Sequence, residues 1–491
     1  MSHDFDPNSV AAITDHLIGG RRLAGDGAEI ALVRPSDGAH IGTIRAADET
    51  LVDEAMRIAA RTRIESGWAT ATPTERARVL KAWADLIDAR RLDLARLEAA
   101  TTTRPIADVV TRDLVRAAGA VRYFAEWADK IEGSLIAGAN SGTTFLKPEP
   151  YGVIASIAPF NFPAINAIWK SAPALVTGNA VVLKPSELTP SSAVMIAELA
   201  IEAGLPAGLF NVVQGGGATG SALVRHPLTA KITFTGSSAT GARVMADAAM
   251  TGTKPLTLEL GGKTPQLVMD DEHDMEALAA TIAGGFLANA GQVCTAGTRL
   301  IAPRRRLDEL TERIIAIAGA RIPGPTWDTR ANLPPIISEK QAARIDAMLA
   351  QTVADGARVL TGGRRCASMN AGAYVEPTVL AGVPDTSVGF REEFFGPVLS
   401  VYAYDDEEEA LAMANHPSYA LAASLYTTSA AKALALPARL NAGTVWVNGH
   451  GRQPDFATPQ GGFAGSGFGK EMGRAGLEGF LRFKTVWLNH G

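Results

Sequence analysis

The sequence predicts an α/β protein with parallel sheets, and three observations predict it. From about residue 150 onward, short apolar runs bounded by turn residues alternate with stretches of helical spacing. Alternation of this kind argues for a parallel sheet covered on both faces. A second alternating region follows Gly262, and 491 residues are too many for one hydrophobic core, so two or three domains are expected with a boundary near residue 261.

Taken in order, residues 47–135 read as helical, with few glycines and amphipathic runs such as "RARVLKAWADLIDARRLDLARLEA" from Arg76. The segment "GSLIAGANSGTTFLKPEP" (133–150) has hairpin-like alternation. "YGVIASIA" (151–158), "AVVLK" (180–184), "FNVVQ" (210–214), "KITFTG" (231–236) and "LTLEL" (256–260) are five strand candidates. Between them lie helical stretches such as "SSAVMIAELAIEAG" and "SSATGARVMADAAM". The second region runs from "PQLVMD" through "DMEALAATIAGGFLANAG" to "GTVWVN" at 443–448. The strand-like "EGFLRFKTVWL" near the end and the 133–150 segment fall outside the doubly wound pattern, and could pair with each other or with a neighbouring subunit.

Composition narrows the function. Apolar residues make up 47% and charged residues 20%, and the net charge of -5 gives no basic footprint, so nucleic acid is not an expected partner. The acidic N-terminus and the lack of any apolar run of about 18 residues argue against a leader or a membrane span, and for a cytoplasmic protein. Two cysteines, Cys294 and Cys366, suit a reducing compartment and are expected to be thiols.

The stretch "LELGGKTP" (258–265) ends like a phosphate-binding loop, but G-x-x-x-x-G-K-[ST] would need glycine where Thr257 stands. "GGGATG" (215–220) satisfies G-x-G-x-x-G, yet no acid follows about 20 residues on, so a tight structural turn is the first reading. "FTGSSATG" (234–241) places glycine and two serines between a strand and a helix, which suits either a phosphate or a plain helix cap. "GFAGSGFGKEMG" reads as an ordered surface loop, and Cys366 in "GGRRCASMN" as a surface thiol.

Cys294 lies in "NAGQVCTAGTR". Most single cysteines are core filler, but Gly291, Thr295, Ala296 and Gly297 leave the backbone room a nucleophile needs. No Cys-His motif accompanies it, which weighs against a cysteine protease. Glu259, just past an apolar strand, is a candidate general base whose pKa burial would raise; a capping or salt-bridged acid is the other reading.

"LELGGKTP" followed by "GQVC" resembles the paired signatures of the NAD(P)-dependent aldehyde dehydrogenases. "APFNFP" (158–163), "VVLKPSELTP" (181–190), "FTGSSATG", "REEFFGPVL" (391–399) and "PQGGFAGSGFGKEMG" (459–473) are similar to further motifs of that family, in the same order. The resemblance runs from about residue 20 to the end. It implies the aldehyde dehydrogenase fold: a Rossmann-like NAD-binding domain (1–132 and 151–260), an α/β catalytic domain (261–460) and a small β oligomerisation arm (133–150 and 474–491) that makes a homodimer or homotetramer.

It further implies that Cys294 attacks an aldehyde, that Asn161 and the Cys294 N–H hold the oxyanion, and that Glu259 activates the water that hydrolyses the thioester. A glutamate in this motif favours free acid over coenzyme A ester as product, and complete machinery argues against a retired structural relative. Lys184 and Glu187 would hold the adenine ribose, Gly236 and Ser237 the pyrophosphate, and Glu393 with Phe395 and Phe160 the nicotinamide end. NAD is favoured over NADP, since a carboxylate at Glu187 repels a 2′-phosphate; some relatives with this glutamate accept both. No metal is expected.

The family usually writes tryptophan where this sequence has Phe160. Phe160, Phe162, Trp169 and Phe456 fall where the family lines its substrate tunnel, which points to an aromatic or medium apolar aldehyde. His450 and Arg452 come close to the same loop; Arg452 would anchor an acidic semialdehyde, or be a solvated loop residue, which is the preferred reading.

Overall fold

The computed structural model describes residues 3–136, 141–451 and 455–491. The helical N-terminal region resolves into Glu49–Glu65, Pro73–Ala89, Arg91–Thr101 and Leu114–Glu126. The second of these starts on a capping box between Thr72 and Glu75 with Pro73 at its first position, and buries Val79, Leu80, Trp83, Ala84 and Ile87 at helical spacing.

The five strand candidates form one parallel set: β1 (Val153–Ile157), β2 (Ala180–Lys184), β3 (Phe210–Val212), β4 (Thr229–Thr235) and β5 (Leu256–Glu259). Their order is β3-β2-β1-β4-β5. β1 and β2 are buried at every position, as continuous apolar runs require. Antiparallel strands extend the sheet at both edges: His16–Ile18 with Arg21–Leu23 beyond β3, and Gly467–Phe468 beyond β5. The order reverses between β1 and β4, and in open α/β sheets ligands bind outside the carboxyl ends of the strands at such a switch point. The helices that follow β1 and β4 are α1 (Pro163–Val176) and α2 (Ser238–Met250).

The chain crosses to a second sheet between Glu259 and Pro265. There β6 (Pro265–Val268), β7 (Arg299–Pro303), β8 (Thr378–Ala381), β9 (Val398–Tyr404), β10 (Ala422–Tyr426) and β11 (Thr444–Val447) run parallel in the order β8-β9-β7-β6-β10-β11. Helix α3 (Met275–Leu287) follows β6 and α4 (Arg304–Gly319) follows β7.

The two strand-like excursions pair with each other. Gly142–Pro150 runs antiparallel to Leu481–Asn489, and Ser134–Ile136 adds a third strand. Residues 137–140 of that region lie outside the described residues. Among the described residues no helix is long and apolar enough to cross a membrane.

Two surface expectations are corrected. Cys366 is buried in a core cluster, its thiol pushed up to about 11 by burial and then by Glu376. Its basic neighbours obscure this: Arg364 and Arg365 make ion pairs, while Cys366, whose N–H donates to the Tyr374 carbonyl, is buried. The glycine-rich "GFAGSGFGKEMG" is a surface loop only in part: Phe463, Ala464, Gly465, Phe468 and Gly469 are exposed, but Gly462, Ser466, Gly467, Glu471, Met472 and Gly473 are buried. It zips onto the edge of β5, and buried Ser466 donates to the Gly261 carbonyl at 2.7 Å.

Candidate active site

Every residue that the sequence singled out for chemistry or for lining a pocket falls on the wall of one cavity of about 1590 Å³, Arg452 excepted, which lies outside the described residues. That exceeds the roughly 300–1,000 Å³ of a pocket for one small ligand, so there is room for a dinucleotide and a substrate together.

The cofactor-sized half sits at the carboxyl ends of the first sheet. Ser237 caps α2, its hydroxyl accepting from Thr240 N–H at 3.3 Å. The helix N-terminus thus offers donors and a positive dipole end to an anion. Lys184 ends β2, buried, with its ammonium on the carbonyls of Pro185 (2.9 Å) and Gly215 (2.8 Å) and 3.7 Å from Glu187. Burial holds its pKa below the usual lysine value. In "GGGATG" the turn reading fits Gly215, where a methyl group would lie 2.1 Å from the Thr219 hydroxyl. Gly216 and Gly217 do more than turn: they line the cavity beside open space.

The loop that carries Cys294 follows α3. Asn289 (φ 49°), Ala290 (φ 51°) and Gly291 (φ 73°) take left-handed conformations in succession, which costs about 1 kcal/mol or more for each non-glycine residue. Buried hydrogen bonds hold this strain. Thr103 donates to the Asn289 side chain at 3.1 Å, and Asn289 donates to the Asn161 carbonyl at 3.2 Å. Gln292 donates to the carbonyls of Asn289 and Pro335, both at 3.0 Å, and accepts from Ile337 N–H at 2.9 Å. The Asn161 amide donates to the Gln292 carbonyl at 3.0 Å, so Asn161 grips the loop with main chain and side chain alike. Cys294 follows, half-buried, on the cavity wall.

"LELGG" brings the remaining groups to that thiol. Glu259 ends β5, buried, and a methyl group on Gly461 would lie 2.8 Å from its Oε1. A methyl group on Gly262 would lie 2.3 Å from the Cys294 carbonyl oxygen, and one on Gly261 2.5 Å from Oε2 of Glu393. Two glycines in a row therefore allow the Cys294 loop and Glu393 to close on this strand end. Lys263 binds no phosphate: it is buried, donates to the Glu392 carbonyl at 2.6 Å and lies over the Phe394 ring, and burial lowers its pKa to about 7. Glu393 is pushed up to about 8 by burial, against the opposing pull of the Gly262 N–H and Lys263. Phe395 (φ 53°) meets Phe160 edge to face at 5.6 Å.

The opposite end of the cavity carries the aromatic residues. Phe162 lies under the Arg104 guanidinium at 4.4 Å, and Phe456 tilts against Tyr123 at 6.3 Å. His450 bonds the Ser424 hydroxyl through Nδ1 at 2.9 Å, and burial lowers its pKa to about 4, so it is neutral there. Sequence reasoning missed Lys170 and Glu471, a buried ion pair at 2.6 Å whose glutamate reaches the cavity. It also missed Arg104, Asp113 and Arg321 on the same wall. A lysine in an otherwise fully buried helix was the one available signal.

The aldehyde dehydrogenase family model matches residues 23–486. A betaine aldehyde dehydrogenase of Cereibacter sphaeroides is 39% identical over 477 residues, 97% of each chain. An indole-3-acetaldehyde dehydrogenase solved with NAD+ superposes with a TM-score of 0.95 at 34% identity, over 98% of both chains. The gamma-glutamyl-gamma-aminobutyraldehyde dehydrogenase of Burkholderia cenocepacia does so with 0.95 at 38% identity, again over 98% of both. Matched along nearly its whole length in sequence and in fold, the chain belongs to the aldehyde dehydrogenase family.

Proposed function

We propose that this protein oxidises an aldehyde to the free carboxylic acid with NAD+, through a thioester on Cys294. The observation that carries the reading is that Cys294, Asn161 and Glu259 share a cavity with the cofactor-sized groove of Lys184, Glu187 and Ser237. The groove fits a dinucleotide: a capped helix N-terminus for the pyrophosphate, open space over Gly216 and Gly217, and a half-exposed Glu187 carboxylate to accept from ribose hydroxyls. That same carboxylate would repel a 2′-phosphate, which favours NAD over NADP. When bound, NAD+ supplies the hydride acceptor.

The Cys294 thiol loses its proton to solvent, and its sulfur adds to the aldehyde carbon while the C=O π pair moves to oxygen. The Asn161 amide spends one N–H on the Gln292 carbonyl and keeps a second, which with the Cys294 N–H receives the oxyanion. Loss of hydride leaves a thioester. Glu259 then takes a proton from water, the water oxygen adds to the acyl carbon, and the C–S bond breaks as Glu259 gives its proton to the leaving sulfur, releasing the acid and the thiol. Phe162, Trp169 and Phe456 give the tunnel an aromatic and apolar character, which suits an aromatic or medium-length apolar aldehyde.

The three-stranded arm supports self-association. Leu135 and Leu488 on one face of it and Phe483 and Trp487 on the other expose from 75% to 49% of their surface, apolar area that a homodimer or homotetramer would cover.

The test is pre-steady-state production of NADH from an aldehyde panel. Cys294→Ala should abolish it. Glu259→Gln should give a burst of about one NADH per active site followed by slow turnover, because hydride loss precedes hydrolysis. Normal turnover by Cys294→Ala would refute the reading.

A further inference from the structure

We propose that the substrate end of the cavity receives an aldehyde with an apolar body and a carboxylate at its far end, and that Arg321 is the residue that binds this carboxylate. The proposal rests on the reading of the cavity as an aldehyde-oxidising site.

Two segments build this end. One is the helical stretch 106–113, with a wide turn at Val109–Asp113; the other is the loop 321–332 after α4. Ile106 N–H on the Thr326 carbonyl at 2.7 Å ties them together. Four arginines line this end, Arg104, Arg112, Arg116 and Arg321, against three aspartates, Asp108, Asp113 and Asp455. The aspartates are largely committed. Asp113 forms a buried pair with Arg104 at 2.7 Å. Asp108 lies 3.7 Å from Arg104 and 3.6 Å from Arg112. Asp455 accepts from Ala457 N–H at 2.8 Å and from the Thr458 hydroxyl.

Arg321 is different. It is half-buried on the cavity wall, and among the described residues no hydrogen bond or ion pair holds its guanidinium; Asp108 acts on it only through its field. Burial outweighs that field and lowers its pKa, the mark of a buried cation whose charge is not fully compensated. Its backbone is fixed nonetheless. Arg321 N–H donates to the Ala318 carbonyl at 3.2 Å, and Ile322 and Asn332 exchange bonds of 2.8 and 3.0 Å at the neck of the loop. A guanidinium presented by a pinned loop, with its donors unspent, suits a planar carboxylate, which it can bind through two parallel hydrogen bonds. Phe162 and Trp169 on the same wall supply the apolar stretch for the body of the substrate. The excess of arginine over aspartate also disfavours an aldehyde bearing a quaternary ammonium group.

The acidic-substrate reading therefore does not depend on Arg452. It moves to a residue at the end of α4, where a cation also complements the helix dipole; a purely structural role of that kind is the rival explanation.

The test compares kcat/KM for benzaldehyde, 4-carboxybenzaldehyde and betaine aldehyde in the full-length enzyme, with Arg321→Gln and Arg321→Lys beside it. The expected order for the unmodified enzyme is carboxylate over neutral over cation. Arg321→Gln should cut the carboxylate-to-neutral ratio by about 10- to 100-fold, the size of one charge-assisted contact, mainly through KM, and Arg321→Lys should restore part of it. Equal kcat/KM for the carboxylate and neutral aldehydes, or a ratio unmoved by Arg321→Gln while the thermal midpoint falls, would overturn the proposal in favour of the helix-dipole role. If no aldehyde is oxidised, the functional reading fails by itself, and calorimetric binding of terephthalate to the unmodified and Arg321→Gln proteins still decides the carboxylate site. Tight binding weakened by Arg321→Gln supports it, and equal or absent binding overturns it.

Discussion

Gly262 and Gly261 differ in what a side chain would strike, and the difference separates two functions. A methyl group at 262 meets a backbone carbonyl, that of Cys294, at 2.3 Å, and Leu421 behind it leaves no retreat. At 261 it meets the end of a side chain, Oε2 of Glu393, at 2.5 Å, which can swing aside. Gly262→Ala should therefore displace the Cys294 loop and, on the proposed mechanism, lower kcat by orders of magnitude, because a shift of about 1 Å at a reacting group costs about 100-fold. Gly261→Ala should mainly raise KM for NAD+. Alkylation of Cys294 by iodoacetamide checks the first directly: its rate should change in Gly262→Ala and stay near normal in Gly261→Ala. The residues that hold the loop were illegible in the sequence for a physical reason. Gln292 acts through Pro335 and Ile337, and Thr103 through Asn289, pairs 43, 45 and 186 positions apart that leave no periodic trace. The cavity residues that could be read, Cys294, Glu259 and Asn161 among them, sit in short contiguous motifs.

At the scale of elements, apolar patterning located the strands well because it reports burial directly. The reading of 180–184 matches β2 residue for residue; 210–214 runs two residues past β3, and 231–236 starts two residues after β4 and ends one residue beyond it. The buried part of the 459–473 segment was hard to read because it comes from pairing with a strand some 200 positions earlier, while the glycines and exposed residues around it read as a loop. Ser466 is the clasp: its hydroxyl donates to Gly261 at 2.7 Å and accepts from Ala420 N–H at 3.0 Å, and its carbonyl accepts from Leu260 N–H at 3.1 Å. Ser466→Ala would leave two buried polar groups without partners, at a cost of about 1–3 kcal/mol. The expected outcome is a lower urea midpoint with an unchanged slope, together with reduced kcat, since the same clasp fixes the strand end that carries Glu259. A midpoint unaltered within error would show that water replaces the hydroxyl.

For the whole molecule, stability against pH is a contest between buried groups of opposite tendency. Glu98 and Glu393, both pushed up to about 8 chiefly by burial, hold protons in the folded state that the unfolded chain has released between pH 4.5 and 8. They therefore stabilise the fold as pH falls through that window. His416 works the other way. Burial first, then the nearby Arg299 charge, lower it to about 4. Its Nδ1 accepts from the N–H groups of Ser418 (3.0 Å) and Tyr419 (3.1 Å), so Nε2 carries the proton and faces the Phe390 carbonyl at 3.1 Å. A second proton would set N–H against two N–H groups. Between pH 6.5 and 4 the unfolded chain binds that proton and the fold does not, so stability falls with falling pH by about 1.4 kcal/mol per pH unit for this residue. His450, also lowered to about 4, adds to the same slope, and the two acids offset it above pH 4.5. The absolute profile is thus flattened by cancellation, and the difference between two proteins is the cleaner quantity. His416→Gln keeps a polar side chain in the pocket but cannot titrate. Urea unfolding of both proteins from pH 4 to 8 should show a constant stability difference above pH 6.5, where the unmodified protein is the more stable. That advantage should shrink as pH falls toward 4. A difference independent of pH would mean that the ring titrates in the fold as it does in the unfolded chain, against the hydrogen-bond pattern around it.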